Sequence, residues 1–513
     1  MAKNIVILCD GTGNEFGEMN SNVVKLRQAL VSDAERQVIY YHPGVGTMGA
    51  MNALTTAGKV WTKVRGLAFG YGLSENIADA YRFLMQNFHR EEKVFIFGFS
   101  RGAYTARALC GMLRMFGLLA PGNEGLIPYA LRLFKRHDGL WTRLQGRENK
   151  FEIAAGFRKT FCTDCAPHFL GVWDTVSSVG WILDPIGLKQ GSLPYTKDLK
   201  LVGRVRHAVS IDERRAFFRQ NLVEQGPGRD VKEVWFAGVH SDVGGSYPEA
   251  ESGLSKITLR WIAQEAEAAG LLIDGSAMSN ILGGDQEHAT PQPGAMAHNS
   301  LTPSWWPGEF WPKSRRRRPL EPGEPRPLLP PLPRMNLFRR RSIPEGACLH
   351  ESVELRRKLV PGYSPRNLPK TYSVECDGRI GASVRQLRVG EEMDFIVFAR
   401  AQWNATPLWI SRGERYRFAA SGTWCDASIR TGPAGYPSPS LGFRLAAPFR
   451  RASKANWFAL IGAIHQKAPV FLIGDGTDIV MPADGLLYCF ANDLPSFYFN
   501  NSGHVQVVVT RLS

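Results

Sequence analysis

The chain of 513 residues has no run of the ~18 apolar residues that a membrane-spanning helix requires. Its first apolar stretch, Ile5–Cys9, stops at Asp10 and is too short for the core of a signal peptide. The expectation is a protein made in the cytoplasm without leader or anchor, exported by a dedicated secretion system if it acts elsewhere. Cysteine is sparse: 8 residues, scattered without the spacing of a small disulfide framework, so reduced thiols are expected. Cys162-Thr163-Asp164-Cys165 has redox or zinc spacing but no second pair, and core or surface thiols are the expectation. A P-loop and internal repeats are lacking. Acidic residues fall short of basic ones, 47 against 62, leaving a formal charge of +15. Part of that excess lies in Arg315–Arg318 and Arg339–Arg341, and it points to an anionic partner. No nucleic-acid fold or stacking platform accompanies it, so nucleic acid is not expected.

What is present is a series of short apolar runs of one form. Ile5–Cys9 ends at Asp10, Val94–Phe97 at Gly98-Phe99-Ser100, Phe169–Trp173 at Asp174, and Val234–Val239 at His240. Such runs, separated by helical stretches, read as buried parallel strands. Asn76–His89, Ala103–Gly117 and Leu254–Ala269 carry apolar residues at helical spacing and are the expected crossover helices. From Thr302 the texture changes: Trp305, Trp306, Phe310 and Trp311 precede Arg315–Arg318 and a proline-rich run to Pro333. This is expected to be a surface excursion over 302–345. Alternating segments at Met393–Phe398, Tyr416–Ala420 and Val505–Val509 suggest an all-β unit. The expected fold class is therefore α/β, a mostly parallel sheet with flanking helices over 1–375, followed by a β-sandwich over 376–513.

"KVFIFGFSRGAYTAR" (Lys93–Arg107) places Gly98-Phe99-Ser100-Arg101-Gly102 between a strand and a helix. That is the setting of a nucleophile elbow, in which glycines permit a tight turn that lifts a serine hydroxyl to the rim of the sheet. The Arg101 N–H would face the oxyanion of an acyl intermediate, and the N–H of Gly11 or Thr12 would be the second donor. A serine nucleophile needs a base and an orienting acid. Among 11 histidines, His240 in "VWFAGVHSDVGG" stands at the end of a buried strand, and Asp174 in "FLGVWDTV" stands likewise. The order Ser100, Asp174, His240 is that of an α/β-hydrolase triad. Asp242 competes as the acid and His350 as the base. A metal held by Asp10, Asp174, His240 and Asp242, or an aspartyl-phosphate at "CDGTG", would leave the serine elbow unexplained.

These motifs, with Pro43–Thr47, Gly70-Tyr71-Gly72 and Tyr363–Pro369, resemble the α/β-hydrolase domain of the first class of type VI secretion lipase effectors. The resemblance spans about Ala2 to Pro369. It implies a phospholipase that attacks membrane glycerophospholipid esters, with Ser100, Asp174 and His240 at the positions of that family's triad. It also implies a component of a secretion apparatus as a partner.

"YCFANDLPSFYFNNSGHVQVVV", with "ASGTW" and "GPAG" upstream, resembles calcium-dependent galactose-binding bacterial lectins. The resemblance implies calcium held by Asp493, Asn500, Asn501 and the carbonyl of Phe497, with a glycan as partner. The lectins' His and Gln sugar contacts lack counterparts in Gly435–Gly442. "SWWPGEFWPKSRRRR" suits an anionic membrane surface, tryptophans at headgroup depth and arginines on lipid phosphate. The expected function is a serine esterase acting on phospholipid. Its alternatives are a carbohydrate- or partner-binding module on a weakly active hydrolase scaffold, and a general carboxylesterase or polyester depolymerase.

Overall fold

The computed structural model describes residues 2–11, 17, 19–44, 67–136, 149–176, 193–285, 287–310, 335–378, 383–466 and 469–513. Thr12, Val45–Thr47, Trp311 and Arg315–Arg318 lie outside them.

Eight strands form one sheet: β1 (Asn4–Cys9), β2 (Gln37–His42), β3 (Lys93–Phe99), β4 (Phe169–Trp173), β5 (Arg204–Ser210), β6 (Asp230–Phe236), β7 (Ala347–His350) and β8 (Tyr372–Glu375). Their spatial order is β8-β7-β6-β5-β4-β3-β1-β2, and every neighbouring pair is parallel. A parallel sheet needs helices on both faces, and the apolar runs of β1 and β3 supply both sides. Ile5, Ile7, Val94 and Ile96 pack against α2 (Leu67–Asn87) and α3 (Arg101–Phe116). Val6, Leu8, Phe95 and Phe97 pack against α1 (Asn22–Ala29) and α5 (Gly253–Glu267). The Val234–Val239 run is strand only to Phe236; Val239 caps the short helix α4 (His240–Gly244).

The chain leaves β1 for β2 on one side and returns to β3 on the other, so the direction of winding reverses between β1 and β3. In open α/β sheets a crevice forms at the carboxyl ends of the strands at such a switch point. Gly11 follows β1 and Ser100 follows β3, and this topology puts both at that crevice.

From Glu392 the strands are antiparallel: β9 (Glu392–Phe398), β10 (Asn404–Ile410), β11 (Arg415–Asp426), β12 (Ile429–Thr431), β13 (Leu460–Ile464), β14 (Val470–Leu472), β15 (Gly476–Val480), β16 (Gly485–Ala491) and β17 (Asn501–Arg511). One sheet runs β9-β17-β11-β12 with β15 on β11; the other runs β10-β16-β13-β14. Val397, Phe418 and Val507 of the first meet Leu460, Leu487 and Cys489 of the second in a common core. β16 is buried along its whole length because its second face, with Leu486 and Tyr488, packs near Leu359 of the hydrolase-like part. All eight cysteines are unpaired. Burial raises the Cys162 and Cys165 thiols to about 11 and about 12, the opposite of a reactive thiolate.

Candidate active site

The turn after β3 is as tight as its sequence predicts. Ser100 has φ 58°, a left-handed conformation that a non-glycine residue adopts at an energetic cost. Its N–H donates to the Trp173 carbonyl at 3.1 Å, which ties the turn to the end of β4. The flanking glycines allow α3 to close on the sheet. A Cβ on Gly98 would stand 2.6 Å from the Gly102 carbonyl oxygen, and one on Gly102 would stand 2.1 Å from the Cys9 carbonyl oxygen. The close approach of α3 to β1 therefore depends on the absence of those side chains.

Ser100, His240 and Asp174 form a continuous chain. Ser100 Oγ lies 2.8 Å from His240 Nε2, and His240 Nδ1 lies 2.5 Å from Asp174 Oδ2. The Asp174 N–H donates to Ala208 O at 2.7 Å, and its Oδ1 accepts from the Ser210 N–H at 2.9 Å, fixing the acid between β4 and β5. The imidazole lies between Phe99 and Phe218, with ring centroids 4.7 and 4.8 Å away. Burial in this apolar slot holds His240 below its ordinary value against the pull of Asp174, so the ring is neutral at neutral pH. A neutral imidazole can accept the serine proton.

Two charged partners of the chain escaped the sequence reading. Arg341 is buried and donates to Asp174 through both terminal nitrogens, Nη2 to Oδ2 at 2.9 Å and Nη1 to Oδ1. It also holds Ser210 Oγ and the Phe218 carbonyl. Burial pushes the Asp174 carboxyl upward, but Arg341 and His240 together outweigh it and hold the group far below the usual carboxylate range. Glu213 is fully buried. It accepts from Arg215 Nη2 at 2.9 Å and from the His240 N–H at 3.2 Å. Burial opposes its ionisation, yet Arg215 draws it down to about 2. Arg341 was visible only as part of a basic run; its pairing with Asp174, and the contact of Glu213 with the His240 N–H, join distant parts of the chain.

The remaining expected residues part company. The Arg101 N–H opens α3 directly after Ser100, at the positive end of that helix. Gly11 N–H instead donates to Asp10 Oδ1 at 2.6 Å. That carboxylate also accepts from Ser21 and Tyr41, so in this structure the Gly11 donor is committed to shaping the loop. Asp242 turns away from His240: its Oδ1 accepts from His298 Nδ1 at 2.6 Å and its Oδ2 from the Val239 N–H at 2.9 Å. His298 also reaches Glu251 at 2.8 Å and stacks on Tyr247. Burial alone would lower that imidazole, but the two carboxylates raise it to about 9. His350 ends β7, yet it stacks on Phe236 at 4.6 Å and accepts from the Ser352 N–H at the start of the helix Glu351–Leu359. Neither Asp242 nor His350 joins the chain through Ser100. From the excursion, Trp305 stacks edge-on to Phe218 at 5.5 Å, linking the imidazole's wall to half-exposed Trp306 and Phe310 nearby.

In the sandwich, Asp493, Asn500 and Asn501 gather at the ends of β16 and β17 beside Asp426. Asn501 Nδ2 donates to Asp493 Oδ2 at 3.1 Å, and Asn500 Nδ2 reaches Asp426 Oδ1 at 3.4 Å. The side-chain oxygens of Asn500 and Asn501 are buried and have no hydrogen-bond partner. Buried oxygens are ordinarily satisfied, and two orphaned amide oxygens beside two carboxylates fit a hard cation such as calcium. The Phe497 carbonyl accepts from the Asn500 N–H at 3.2 Å at the same turn.

Residues 3–265 match the family described as type VI secretion system phospholipase effector Tle1-like, catalytic domain. A curated relative, the uncharacterized protein YEL023C of Saccharomyces cerevisiae, is 35% identical over 229 residues, 42% of this chain and 32% of that protein. The chain thus matches about a third of that relative's length. Among solved structures, an uncharacterized protein from Pseudomonas aeruginosa shares 22% identity over 53% of this chain and 46% of its own, with a TM-score of 0.29. The Tle1 effector bound to the VgrG spike of the type 6 secretion system shares 21% over 49% and 52%, with a TM-score of 0.28. The EclA N-terminal domain, a PllA-like lectin, shares 23% over 23% of this chain and 94% of its own, with a TM-score of 0.19. With the family match running through the strands that carry Ser100, Asp174 and His240, the chain belongs to the Tle1-like phospholipase effector family.

Proposed function

We propose that the protein is a serine esterase that cleaves acyl esters of membrane glycerophospholipids. The observation that carries this reading is the unbroken Ser100–His240–Asp174 chain at the crest of a strained elbow. Ser100 Oγ attacks the ester carbonyl as its proton passes to His240 Nε2. Asp174, kept ionised by Arg341, holds the Nδ1 proton and stabilises the imidazolium. The Arg101 N–H, at the positive end of α3, donates to the oxyanion. His240 then returns the proton to the leaving alkoxide, and water releases the acyl group by the same route reversed. Thr12 N–H is the proposed second oxyanion donor, since Gly11 is occupied by Asp10. Delivery through a secretion spike is the proposed route, by analogy with the family.

The test is fatty-acid and lysolipid release from vesicles of phosphatidylethanolamine and phosphatidylglycerol, followed by mass spectrometry. Wild type is expected to release both, and Ser100→Ala neither. Release undiminished in Ser100→Ala overturns serine catalysis. Turnover of dissolved short-chain esters without vesicle hydrolysis favours the general esterase.

The orphaned oxygens favour a second activity for the sandwich: the Asp493, Asp426, Asn500 and Asn501 cluster would hold calcium through oxygen ligands, the Phe497 carbonyl with them. Calorimetric titration is expected to show one calcium site that Asn501→Ala weakens by about tenfold or more. Equal affinity in the variant removes this reading.

A further inference from the structure

The four most exposed large apolar side chains among the described residues are Phe449 at 74%, Leu441 at 71%, Leu445 at 70% and Phe499 at 69%. Phe497 is 47% exposed. All five belong to the segments that border the oxygen cluster. Phe497 and Phe499, with ring centroids 6.1 Å apart, lie in the turn between Asp493 and Asn501. Leu441 and Leu445 lie on the short helix Leu441–Ala446, and Phe449 follows it. Phe443 of that helix packs on Tyr436 and Trp457, at 6.2 and 5.0 Å, and Tyr436 Oη donates to Asp426 Oδ2 at 2.5 Å. The chain then returns to the cluster, Arg451 N–H donating to Asp493 O at 3.4 Å and Ala452 N–H to Asn492 Oδ1 at 2.9 Å.

A soluble surface spreads such side chains singly; a concentrated group of them marks an interaction site. Charge selects the occupant. From residue 427 to residue 474 the sequence has no Asp or Glu, while Arg430, Arg444 and Lys454 of that stretch are exposed. Apolar side chains interleaved with unopposed cations suit the boundary between anionic headgroups and acyl chains. The cluster between them presents hard oxygen ligands, and a cation bound there would be shared readily with phosphate oxygens.

We infer that this rim is a docking surface for anionic phospholipid, with Leu441, Leu445, Phe449, Phe497 and Phe499 entering the lipid around the oxygen cluster. The choice of lipid rests on the phospholipase and calcium readings above. The sandwich would then hold the hydrolase-like part at the surface that carries its substrate.

The test uses full-length Ser100→Ala protein, which removes hydrolysis from the measurement, floated with phosphatidylethanolamine–phosphatidylglycerol vesicles in calcium or in chelator. Adding Leu441→Ser, Leu445→Ser and Phe449→Ser is expected to weaken vesicle binding at least about tenfold. Chelator is expected to weaken the parent likewise. Val389→Ser with Val480→Ser, apolar and more than half exposed in segments away from the oxygen cluster, is expected to bind as the parent does. A thermal scan checks that the triple variant folds, and Phe499→Ser alone gives the same comparison if it does not. Unchanged binding by the substituted proteins overturns the proposal. So does release of bound protein by free galactose, which assigns the rim to glycan, or loss of self-association by the variants with vesicle binding intact, which assigns it to a second copy. Turnover of a dissolved short-chain ester by wild type, with no membrane present, tests the catalytic reading separately.

Discussion

Arg341 donates to both carboxylate oxygens of Asp174, a fork-to-fork geometry that a lysine cannot reproduce. A carboxyl held below its unfolded value stabilises the fold above that value, about 3.9 for aspartate, and the contribution disappears as pH falls through the folded value. Asp174 is such a group. Arg341→Met leaves burial as the chief influence on it, so acid unfolding is expected to begin at a higher pH. Breaking a buried pair of this kind costs about 3–5 kcal/mol, measurable by urea denaturation at neutral pH. Unaltered stability together with an unaltered acid limb would show that Arg341 does no such positioning. His240 supplies a second pH signature. Its depressed value means that kcat/KM for a dissolved ester should rise with pH and level off before neutrality, the inflection lying below 6.5. Asp174→Asn should lower turnover by about 10⁴. Asp242→Asn should change it far less and should instead lower the His298 imidazole from about 9, as an NMR titration would report. The larger loss falling on Asp242→Asn would reverse the assignment.

The element that makes the site is the β3–α3 turn, and its legibility has a local cause. Gly98, Ser100 and Gly102 are needed by a geometry confined to five residues, so the pattern and the strain coincide in sequence. Asp174 and His240 were legible because each follows a buried run; His350 competed through its late place in the chain, where a histidine after the last strand would stand. Standing at the end of a rim strand does not distinguish a ring that faces Ser100 from one stacked on Phe236. The pairing of Asp242 with His298, and the grip of Arg341 and Glu213, join segments tens to more than a hundred residues apart. No local period encodes such pairings. The turn itself yields a sharp prediction. In Gly102→Ala the new Cβ meets the Cys9 backbone oxygen at 2.1 Å, and backbone cannot swing aside as a side chain could. Moving α3 away from β1 shifts Ser100 and the Arg101 N–H together. The variant is expected to lose about 2–4 kcal/mol of stability and most of its turnover. Wild-type values for both would show that the approach of α3 to β1 is not tight.

At the scale of the whole molecule, the α/β-plus-β architecture was readable from the change of apolar period, from continuous runs to alternation. The contact between the two parts was not. β16 is apolar at consecutive positions, and in isolation Gly485–Ala491 reads as a strand of a parallel sheet rather than an inner strand of a sandwich whose outer face lies against another body. Its second face explains the pattern. Tyr488 Oη donates to Gly294 O at 2.7 Å in a buried setting, and Gln292 Nε2 donates to Thr406 O at 3.1 Å. Arg260 pairs with Asp377 at 2.7 Å beside the segment that leads from β8 into the sandwich. A sandwich cut free at residue 383 would expose Leu486 and Tyr488 to water, and the hydrolase-like part would keep an orphaned Gly294 carbonyl. The two parts should therefore unfold together in the intact chain. Tyr488→Phe removes the hydroxyl while keeping the ring, and a lost buried hydrogen bond costs about 1–3 kcal/mol when its partner stays unsatisfied. That loss should appear in both halves of the chain at once, as one shifted calorimetric transition with no separate melting of the sandwich. Two resolved transitions in wild type, with Tyr488→Phe moving neither, would mean that this contact does not couple them and that each part is stable on its own core.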